Sequence, residues 1–158
     1  GASTGGFTDC LLQRGAAHVA AIDTGSGQLH PKLRGDARVT SLESTDIRML
    51  TGTEIAPAPD LGVIDVSFIS LALVLPAVTR LLAPSAGIVA LIKPQFEVGR
   101  AAIGKGGIVK DAAAAAAALE RIRALFAELG FHELGLIDSP IAGGDGNREY
   151  LIAGRRTA

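Results

Sequence analysis

Three charged residues stand at the ends of apolar or glycine-rich runs, where a folded chain rarely places a charge without a reason. Lys93 ends the run GIVALIK and is followed by Pro94, Asp65 ends LGVID, and Glu149 follows the turn-rich AGGDGN. A charge removed from water is costly unless it is paired or has a task. Ammonium and carboxylate groups hold and move protons in catalysis, so all three residues are candidates for a site.

Each candidate also has a purely structural interpretation. Asp65 could cap the helix that follows it, although Ser67 or Ser70 could do so equally well. Lys93 could extend its ammonium to solvent at a strand end or form a surface ion pair. Glu149 could be an ordinary exposed strand residue. Pro94 disfavours the helical backbone for Lys93, which indicates an extended conformation there.

The sequence GASTGGFTD at positions 1–9 resembles a nucleotide-binding loop. A P-loop requires G-x-x-x-x-G-K-[ST], but Phe7 takes the place of the lysine, and the dinucleotide spacing G-x-G-x-x-G is absent. The remaining ligand interpretation is a glycine loop that cradles S-adenosylmethionine, against the alternative of a plain tight turn before a helix. The predicted cofactor-binding residues of this loop are Gly1, Ala2, Ser3, Thr4, Gly5 and Gly6.

Two further acids follow predicted strands. Asp23 comes a little under 20 residues after the loop, at the end of HVAAID, where a carboxylate can accept both hydroxyls of a ribose. Asp46, in STDIR, is predicted to accept a hydrogen bond from an adenine amino group. The alternatives are a turn aspartate for Asp23 and a helix N-terminal or turn aspartate for Asp46. A ribose does not separate a methyl donor from a nicotinamide cofactor.

Alternating strand and helix patterns position these residues. The most regular helix pattern is 111–130, where Asp111 can cap the start and Gly130 the end. Another helix is predicted at 71–84, and the predicted strands are 18–23, 38–44, 87–94, 132–141, 149–154 and one that starts at 61. This alternation predicts an α/β fold with a mostly parallel sheet and helices on both faces. The last two strands have no helix between them and should pair antiparallel.

Ligands of such sheets bind beyond the carboxyl ends of the strands, which predicts Asp23, Asp65 and Lys93 on one rim. The three histidines are scattered and give no metal-ligand spacing, so no metal is predicted. Cys10 is interpreted as a packing residue of an apolar helix.

The composition limits the function classes. The 158 residues are 48% hydrophobic and 20% charged with a net charge of −1, which predicts one globular domain and no global basic field. A single cysteine allows no intrachain disulfide and fits a reducing cytoplasm. No apolar run reaches the roughly 18 residues that a membrane span needs. The chain does not begin with Met, and we expect its true start to be missing.

Because there is no global basic field, only a local basic stretch could indicate a nucleic acid partner. Arg100, Lys105 and Lys110 lie in a glycine-rich segment, which we predict to be a mobile loop that contacts RNA phosphates. The alternative is an ordinary solvated loop. Phe96, beside Lys93, is interpreted either as a stacking partner for an unpaired base or as a core residue.

Six motifs together resemble one known family more closely than any of them does alone: GASTGGFTD, GSGQLHPKLR, DVSFIS, IKPQFEVGR, GKGGIVKD and GDGNREYL. The chain is similar over nearly its whole length to the TlyA family, haemolysin-like members of the FtsJ-type ribosomal RNA methyltransferases. The resemblance implies a Rossmann-like, S-adenosylmethionine-dependent enzyme that methylates ribose 2′-hydroxyls of ribosomal RNA.

The resemblance also implies a Lys-Asp-Lys-Glu catalytic set, of which Asp65, Lys93 and Glu149 match the last three members. Asp65 would in addition help to hold the methyl donor. The family's first lysine, first sheet strand and N-terminal RNA-binding domain have no counterpart here, so residues 1–158 are expected to be a truncated methyltransferase domain. The alternatives are a haemolysin or cytotoxin, a nicotinamide-dependent oxidoreductase, and a non-catalytic RNA-binding fragment.

Overall fold

The protein is described by a computed structural model that covers residues 1–143 and 146–157. The chain divides into two compact units, Gly1–Pro57 and Ala58–Ala158. Two residues of the AGGDGN turn, Gly144 and Asp145, lie outside the described residues, as does Ala158.

The first unit alternates helix and strand around a small apolar core. Its elements are α1 (Gly6–Gln13), β1 (Val19–Ile22), α2 (Pro31–Arg34), β2 (Val39–Leu42) and 3-10 turns at Ile47–Met49 and Thr53–Ile55. Strands β1 and β2 pair in parallel with Val19 opposite Val39. The core residues are Leu12, Val19, Ala21, Leu29 and Leu33. Cys10 does not belong to this core, because its face of the short helix α1 is exposed, so the packing role predicted for it is wrong.

The second unit contains a four-stranded sheet. Its elements are β3 (Leu61–Ile64), α3 (Leu71–Leu81), β4 (Gly87–Ile92), α4 (Pro94–Glu97), 3-10 turns at Arg100–Ala102 and Lys105–Gly107, α5 (Ala112–Glu128), β5 (His132–Asp138) and β6 (Tyr150–Arg155). The strand order is β3-β4-β6-β5. Strands β3 and β4 are parallel, whereas β6 runs antiparallel to both β4 and β5. The predicted antiparallel pairing of the last two strands is confirmed, and β6 is inserted between its neighbours.

The core of the second unit lies where helices and sheet meet. Its largest fully buried side chains come from four elements: Leu71, Leu75, Ile88, Ile92, Ile122, Phe126 and Ile152. Ile88, Ala90 and Ile92 are buried and alternate with half-buried residues along β4, the period expected of a strand with one face against a helix layer.

Helix α5 begins and ends as the sequence predicts. The Asp111 side chain accepts a hydrogen bond from the Ala114 N–H at 3.0 Å. At the other end Gly130 has φ +83°, and Phe131 N–H donates to the Phe126 carbonyl at 3.0 Å. The Phe126 and Phe131 rings pack 5.1 Å apart, which completes a Schellman motif with its hydrophobic contact. The helix therefore delivers the chain directly into β5.

Candidate active site

The three charged residues predicted from strand ends occupy those positions. Asp65 follows the last residue of β3, Lys93 follows the last residue of β4, and Glu149 precedes the first residue of β6. Because β6 runs antiparallel to β4, its amino end lies at the carboxyl end of β4, and Ile92 is opposite Tyr150. Lys93 and Glu149 are therefore the next residues beyond that pair, on the same rim as Asp65.

Lys93 is held by two oxygen ligands. Its Nζ lies 2.6 Å from Asp65 Oδ1 and donates to Ser67 Oγ at 3.0 Å. The Lys93 side chain is 13% exposed and that of Asp65 is 39% exposed, so the ammonium is largely desolvated while its counter-ion still meets water. The backbone of Lys93 is extended, as the following proline predicts. The ammonium is neither free in solvent nor part of a fully exposed pair.

Glu149 is buried, with 7% of its surface exposed, so its interpretation as an exposed strand residue is wrong. Its Oε1 accepts a hydrogen bond from Gln95 Nε2 at 2.8 Å. Gln95 Oε1 is buried and has no hydrogen-bond partner among the described residues. A Cβ at Gly143 would lie 2.5 Å from Glu149 Oε1, so Gly143 allows the carboxylate to sit where it does. Lys93 contacts Asp65 and Ser67, and Gln95 contacts Glu149, so the rim carries two contacting groups. We refer to the two groups together as the Lys93 cluster.

The motif PQFE fastens helix α4 to the start of helix α3. Glu97 accepts hydrogen bonds from Ser70 Oγ at 2.5 Å and from the Leu71 N–H at 2.7 Å. Ser70 also caps α3, since its hydroxyl accepts from the Ala72 N–H at 3.1 Å. The capping role considered for Asp65 is therefore filled by Ser70, which leaves the Asp65 carboxylate for Lys93.

Two aromatic rings lie in the same motifs. Phe68 has φ +63°, an uncommon conformation for a residue with a bulky side chain, and its side chain is 92% exposed. Its ring centroid is 5.1 Å from that of the half-buried Phe96, with 53° between the ring planes. Backbone strain of this kind persists only where surrounding structure compensates for it, and it is frequent at functional sites.

The basic loop, residues 99–110, contains internal hydrogen bonds in spite of its glycine content. Gly104 N–H donates to the Ile108 carbonyl at 2.8 Å, and Ile103 and Val109 form an antiparallel bridge. The buried Asn147 accepts from the Val109 N–H at 2.9 Å and donates from Nδ2 to the Gly107 carbonyl at 3.0 Å. The three cations predicted to contact RNA, at positions 100, 105 and 110, are all exposed.

The glycine loop, residues 1–6, is in the first unit and leads into α1. Gly5 has φ +108°, a backbone conformation that favours glycine, and a Cβ there would meet Leu33 Cδ1. Gly6 differs, because a Cβ there would have no neighbour within 4 Å. Among the described residues no side chain caps the first turn of α1, and its N–H groups at this end have no intrahelical acceptors. The loop combines a tight turn with an open face.

Asp23 follows the last residue of β1 and closes the glycine loop. Its Oδ2 accepts from the Ser3 N–H at 2.8 Å and its Oδ1 from the Gly25 N–H at 2.8 Å. Partial burial on its own would raise the pKa of Asp23, but the backbone hydrogen bonds from Ser3 and Gly25 outweigh it, and the pKa is lowered. A carboxylate offers about four acceptor positions, so roughly two remain for ribose hydroxyls.

Asp46 has a local structural role. It caps the turn Ile47–Met49, where Oδ1 accepts from the Arg48 N–H at 2.9 Å. The Arg48 guanidinium also binds both carboxylate oxygens, with Nη2 2.6 Å from Oδ2, and these contacts lower the pKa of Asp46 to about 2. The helix-capping alternative is what the structure shows, and contact with an adenine stays a prediction.

Two further observations concern membrane-spanning helices and metal sites. In the part of the chain that the structure describes, no helix is long and apolar enough to cross a membrane. Among the same residues, no group of three or more His, Cys, Asp or Glu side chains is placed to hold a metal ion.

The fold of the chain is similar to that of solved methyltransferases. The N-methyltransferase NodS from Bradyrhizobium japonicum, in complex with S-adenosyl-L-homocysteine, superposes with a TM-score of 0.66 over 98% of this chain and 74% of its own, at 15% identity. This likeness concerns the fold alone, and it confirms the predicted α/β, Rossmann-like methyltransferase fold.

Closer relatives identify the family. A family model described as FtsJ-like methyltransferase matches residues 1–156, and the chain belongs to this family. It is 51% identical, over 96% of its length, to "16S/23S rRNA (cytidine-2′-O)-methyltransferase TlyA" of Mycobacterium tuberculosis and 43% identical to "Hemolysin A" of Brachyspira hyodysenteriae. A solved "Putative hemolysin" from Streptococcus thermophilus has a TM-score of 0.93 and 46% identity, over 99% of this chain and 57% of its own. The chain spans 57% of the M. tuberculosis protein and 63% of the B. hyodysenteriae protein.

Proposed function

We propose that this chain is the methyltransferase domain of an S-adenosylmethionine-dependent enzyme that methylates ribose 2′-hydroxyls in ribosomal RNA, with ribosomal RNA or a ribosomal subunit as substrate in the cytoplasm. One observation carries the proposal. The Lys93 side chain is largely buried, and its ammonium is paired with Asp65 on the rim that also holds the buried Glu149. The cluster belongs to a chain that is 51% identical to a named ribosomal RNA ribose methyltransferase.

The residues of the first unit fit a nucleoside ligand that carries a carboxylate. Asp23 keeps about two acceptor positions, which suits the two hydroxyls of a ribose. The open face at Gly6 and the uncapped first turn of α1 supply N–H donors, which suit a carboxylate. When bound, S-adenosylmethionine supplies a methyl group that is already activated by its sulfonium.

The second unit would handle the acceptor hydroxyl. The ribose oxygen gains negative character as it loses its proton, and an ammonium at hydrogen-bond distance stabilises that charge. We assign this role to Lys93, with Asp65 orienting the ammonium. The contact of 2.6 Å between the Lys93 ammonium and the Asp65 carboxylate suits an electrostatic role better than that of a base. Glu149 would position a second cation or the ribose itself.

RNA would be bound by charge and by stacking. Arg100, Lys105 and Lys110 are exposed on a loop that Asn147 fixes, and such cations supply most of the affinity for a phosphate backbone. Phe68, fully accessible and supported by Phe96, offers an aromatic face to an unpaired base. The sequence left Phe96 open between stacking and a core role, and Phe68 is the more exposed of the two rings.

Two measurements test the proposal. Calorimetry on this chain should show binding of S-adenosylmethionine and none of NAD. Incubating the full-length protein that carries this chain with ribosomal subunits and methyl-labelled cofactor should place the label at positions that resist alkaline cleavage, because a methylated 2′-oxygen cannot attack the neighbouring phosphate.

The alternatives give different results. Binding of NAD in place of S-adenosylmethionine would favour the oxidoreductase. Cofactor and RNA binding without label transfer by the full-length protein would favour a non-catalytic binding module. Leakage of liposomes, with no transfer, would favour the haemolysin.

A further inference from the structure

We infer that Ser67 is a positioning residue that, together with Asp65, fixes the direction in which Lys93 presents its ammonium. The inference rests on the proposed methyl transfer and concerns the same site. It starts from the two contacts of Nζ, 2.6 Å to Asp65 Oδ1 and 3.0 Å to Ser67 Oγ. An ammonium has three N–H groups. Two are engaged by these oxygens, so one remains for an acceptor hydroxyl.

The geometry of the third N–H depends on having both ligands. A single contact leaves an ammonium free to rotate about it, whereas two contacts in different directions define where the remaining hydrogen points. Asp65 also supplies most of the charge compensation, since it is the carboxylate partner of Lys93. Ser67 adds little charge compensation but a second direction, so its contribution should appear in alignment rather than in binding.

The backbone around Ser67 supports this role. The next residue, Phe68, has φ +63°, an uncommon conformation for a bulky side chain. Ser70, three residues after Ser67, caps α3 and donates to Glu97. The contacts of Ser70 thus anchor the end of the turn between β3 and α3. Within this turn the Ser67 hydroxyl lies 3.0 Å from the Lys93 ammonium. Ser67 is exposed and contributes little to the core, so stability alone does not explain its contact with Lys93.

The test compares three variants of the full-length protein that carries this chain. Ser67→Ala removes the hydroxyl, Ser67→Thr retains it, and Ser85→Ala is a control at another exposed serine of the second unit. Methyl transfer to ribosomal subunits is measured at saturating substrates, and the Kd for S-adenosylmethionine and the KM for the subunit are measured separately. The Lys93 ammonium is followed by ¹H–¹⁵N NMR on the isolated chain.

Loss of one hydrogen bond to a charged group predicts a fall in kcat of about ten- to a hundredfold for Ser67→Ala. We expect Kd and KM to stay within about twofold and Ser67→Thr to recover most of kcat, as alignment effects act on the chemical step. The protected Lys93 ammonium signal should broaden in Ser67→Ala and persist in Ser67→Thr and Ser85→Ala.

Three results would overturn the inference: wild-type kcat in Ser67→Ala, a change confined to KM, or an ammonium signal that is the same in all variants. These outcomes differ from failure of the proposed function, which would appear as absence of methyl transfer in the wild-type protein. An equal loss in the alanine and threonine variants would be a fourth such result, because the threonine variant retains the hydroxyl.

Discussion

The polar side chains of the glycine loop and of the Lys93 cluster are held by different kinds of hydrogen bond. In the loop, backbone N–H groups of Ser3 and Gly25 hold the Asp23 carboxylate. In the cluster, side chains hold side chains across long separations, 26 residues between Ser67 and Lys93 and 54 between Gln95 and Glu149. A loop of this kind suits recognition of an invariant ligand, because backbone groups change little with sequence. A cluster of side chains suits chemistry, because each group can be tuned by its neighbours.

The contrast leads to different expectations for substitutions. Changes in the loop should act on folding of the first unit and on ligand affinity. Changes in the cluster should act on turnover. Its side chains contact one another on the rim of the sheet and contribute less to the apolar core.

The largest effect is expected for Lys93→Ala. Removing the group that stabilises the developing charge should lower kcat by about 10²–10³-fold, the magnitude typical of one lost electrostatic donor. Asp65 is 39% exposed and can be solvated when its partner is gone, so the fold should persist. S-Adenosylmethionine affinity should be unchanged by calorimetry, and Lys32→Ala, at an exposed lysine of the first unit, serves as a charge-matched control. Turnover close to that of the wild type would refute the role assigned to Lys93.

The cluster residues at strand ends could be predicted from sequence, but the residues that contact them could not. An apolar run that stops at a charge marks the end of a strand, and Asp65 and Lys93 follow β3 and β4 as expected. Ser67 and Gln95 give no such signal, because their roles depend on partners brought together by folding. The insertion of β6 between β4 and β5 is likewise a property of chain topology and not of any local pattern.

The sequence did not decide the surroundings of single residues, and for Cys10 the predicted burial is wrong. Cys10 looked buried because its neighbours in sequence are apolar, but α1 has only eight residues and buries only Thr8 and Leu12. The sequence pattern allowed Glu149 to be an exposed strand residue. In the structure it is buried, directly before the first residue of β6. The sequence was compatible with both adenine contact and a capping role for Asp46, and its contacts with Arg48 are seen only in the structure.

A matched pair of glycines separates folding from binding in the loop. Gly5→Ala combines an unfavourable φ of +108° with a close contact to Leu33 Cδ1, and should destabilise the protein by about 1–3 kcal/mol. Gly6→Ala has open space and lies in the first turn of α1, so stability should change by less than about 1 kcal/mol, towards a gain.

Denaturant unfolding measures both changes. We expect Gly6→Ala to weaken S-adenosylmethionine binding in spite of normal stability, because its methyl group would occupy the open face. If Gly6→Ala binds the cofactor as well as the wild type, that face is not part of the binding site.

The third effect concerns the pH dependence of stability at Asp23. Its pKa is lowered below the ordinary value of 3.8, because backbone hydrogen bonds from Ser3 and Gly25 outweigh the opposing effect of burial. A carboxylate with a lowered folded-state pKa stabilises the protein fully above the ordinary pKa, and this contribution is lost as the pH falls through the lowered value. Asp23→Asn should therefore reduce Tm at pH 7 and have a smaller effect near pH 3.

The same variant should reduce S-adenosylmethionine affinity by about tenfold, since a neutral amide accepts more weakly from ribose hydroxyls. Asp36→Asn is the control, because Asp36 also has a lowered pKa, at about 2, but owes it to Arg38 on the surface of the first unit. Equal losses of cofactor affinity in the two variants would exclude a specific role of Asp23 in ribose binding.

The smallest effect is expected for Lys105→Ala in the basic loop. Each cation that contacts a phosphate contributes a slope of about 0.7–0.9 to the plot of log affinity against log salt concentration. Filter binding of ribosomal RNA by the full-length protein between low and moderate salt should show the slope reduced by about that amount, with cofactor affinity unchanged. Lys32→Ala removes an exposed lysine of the first unit and should leave the slope as it is. If both variants lower the slope equally, net charge and not the loop held by Asn147 determines RNA affinity.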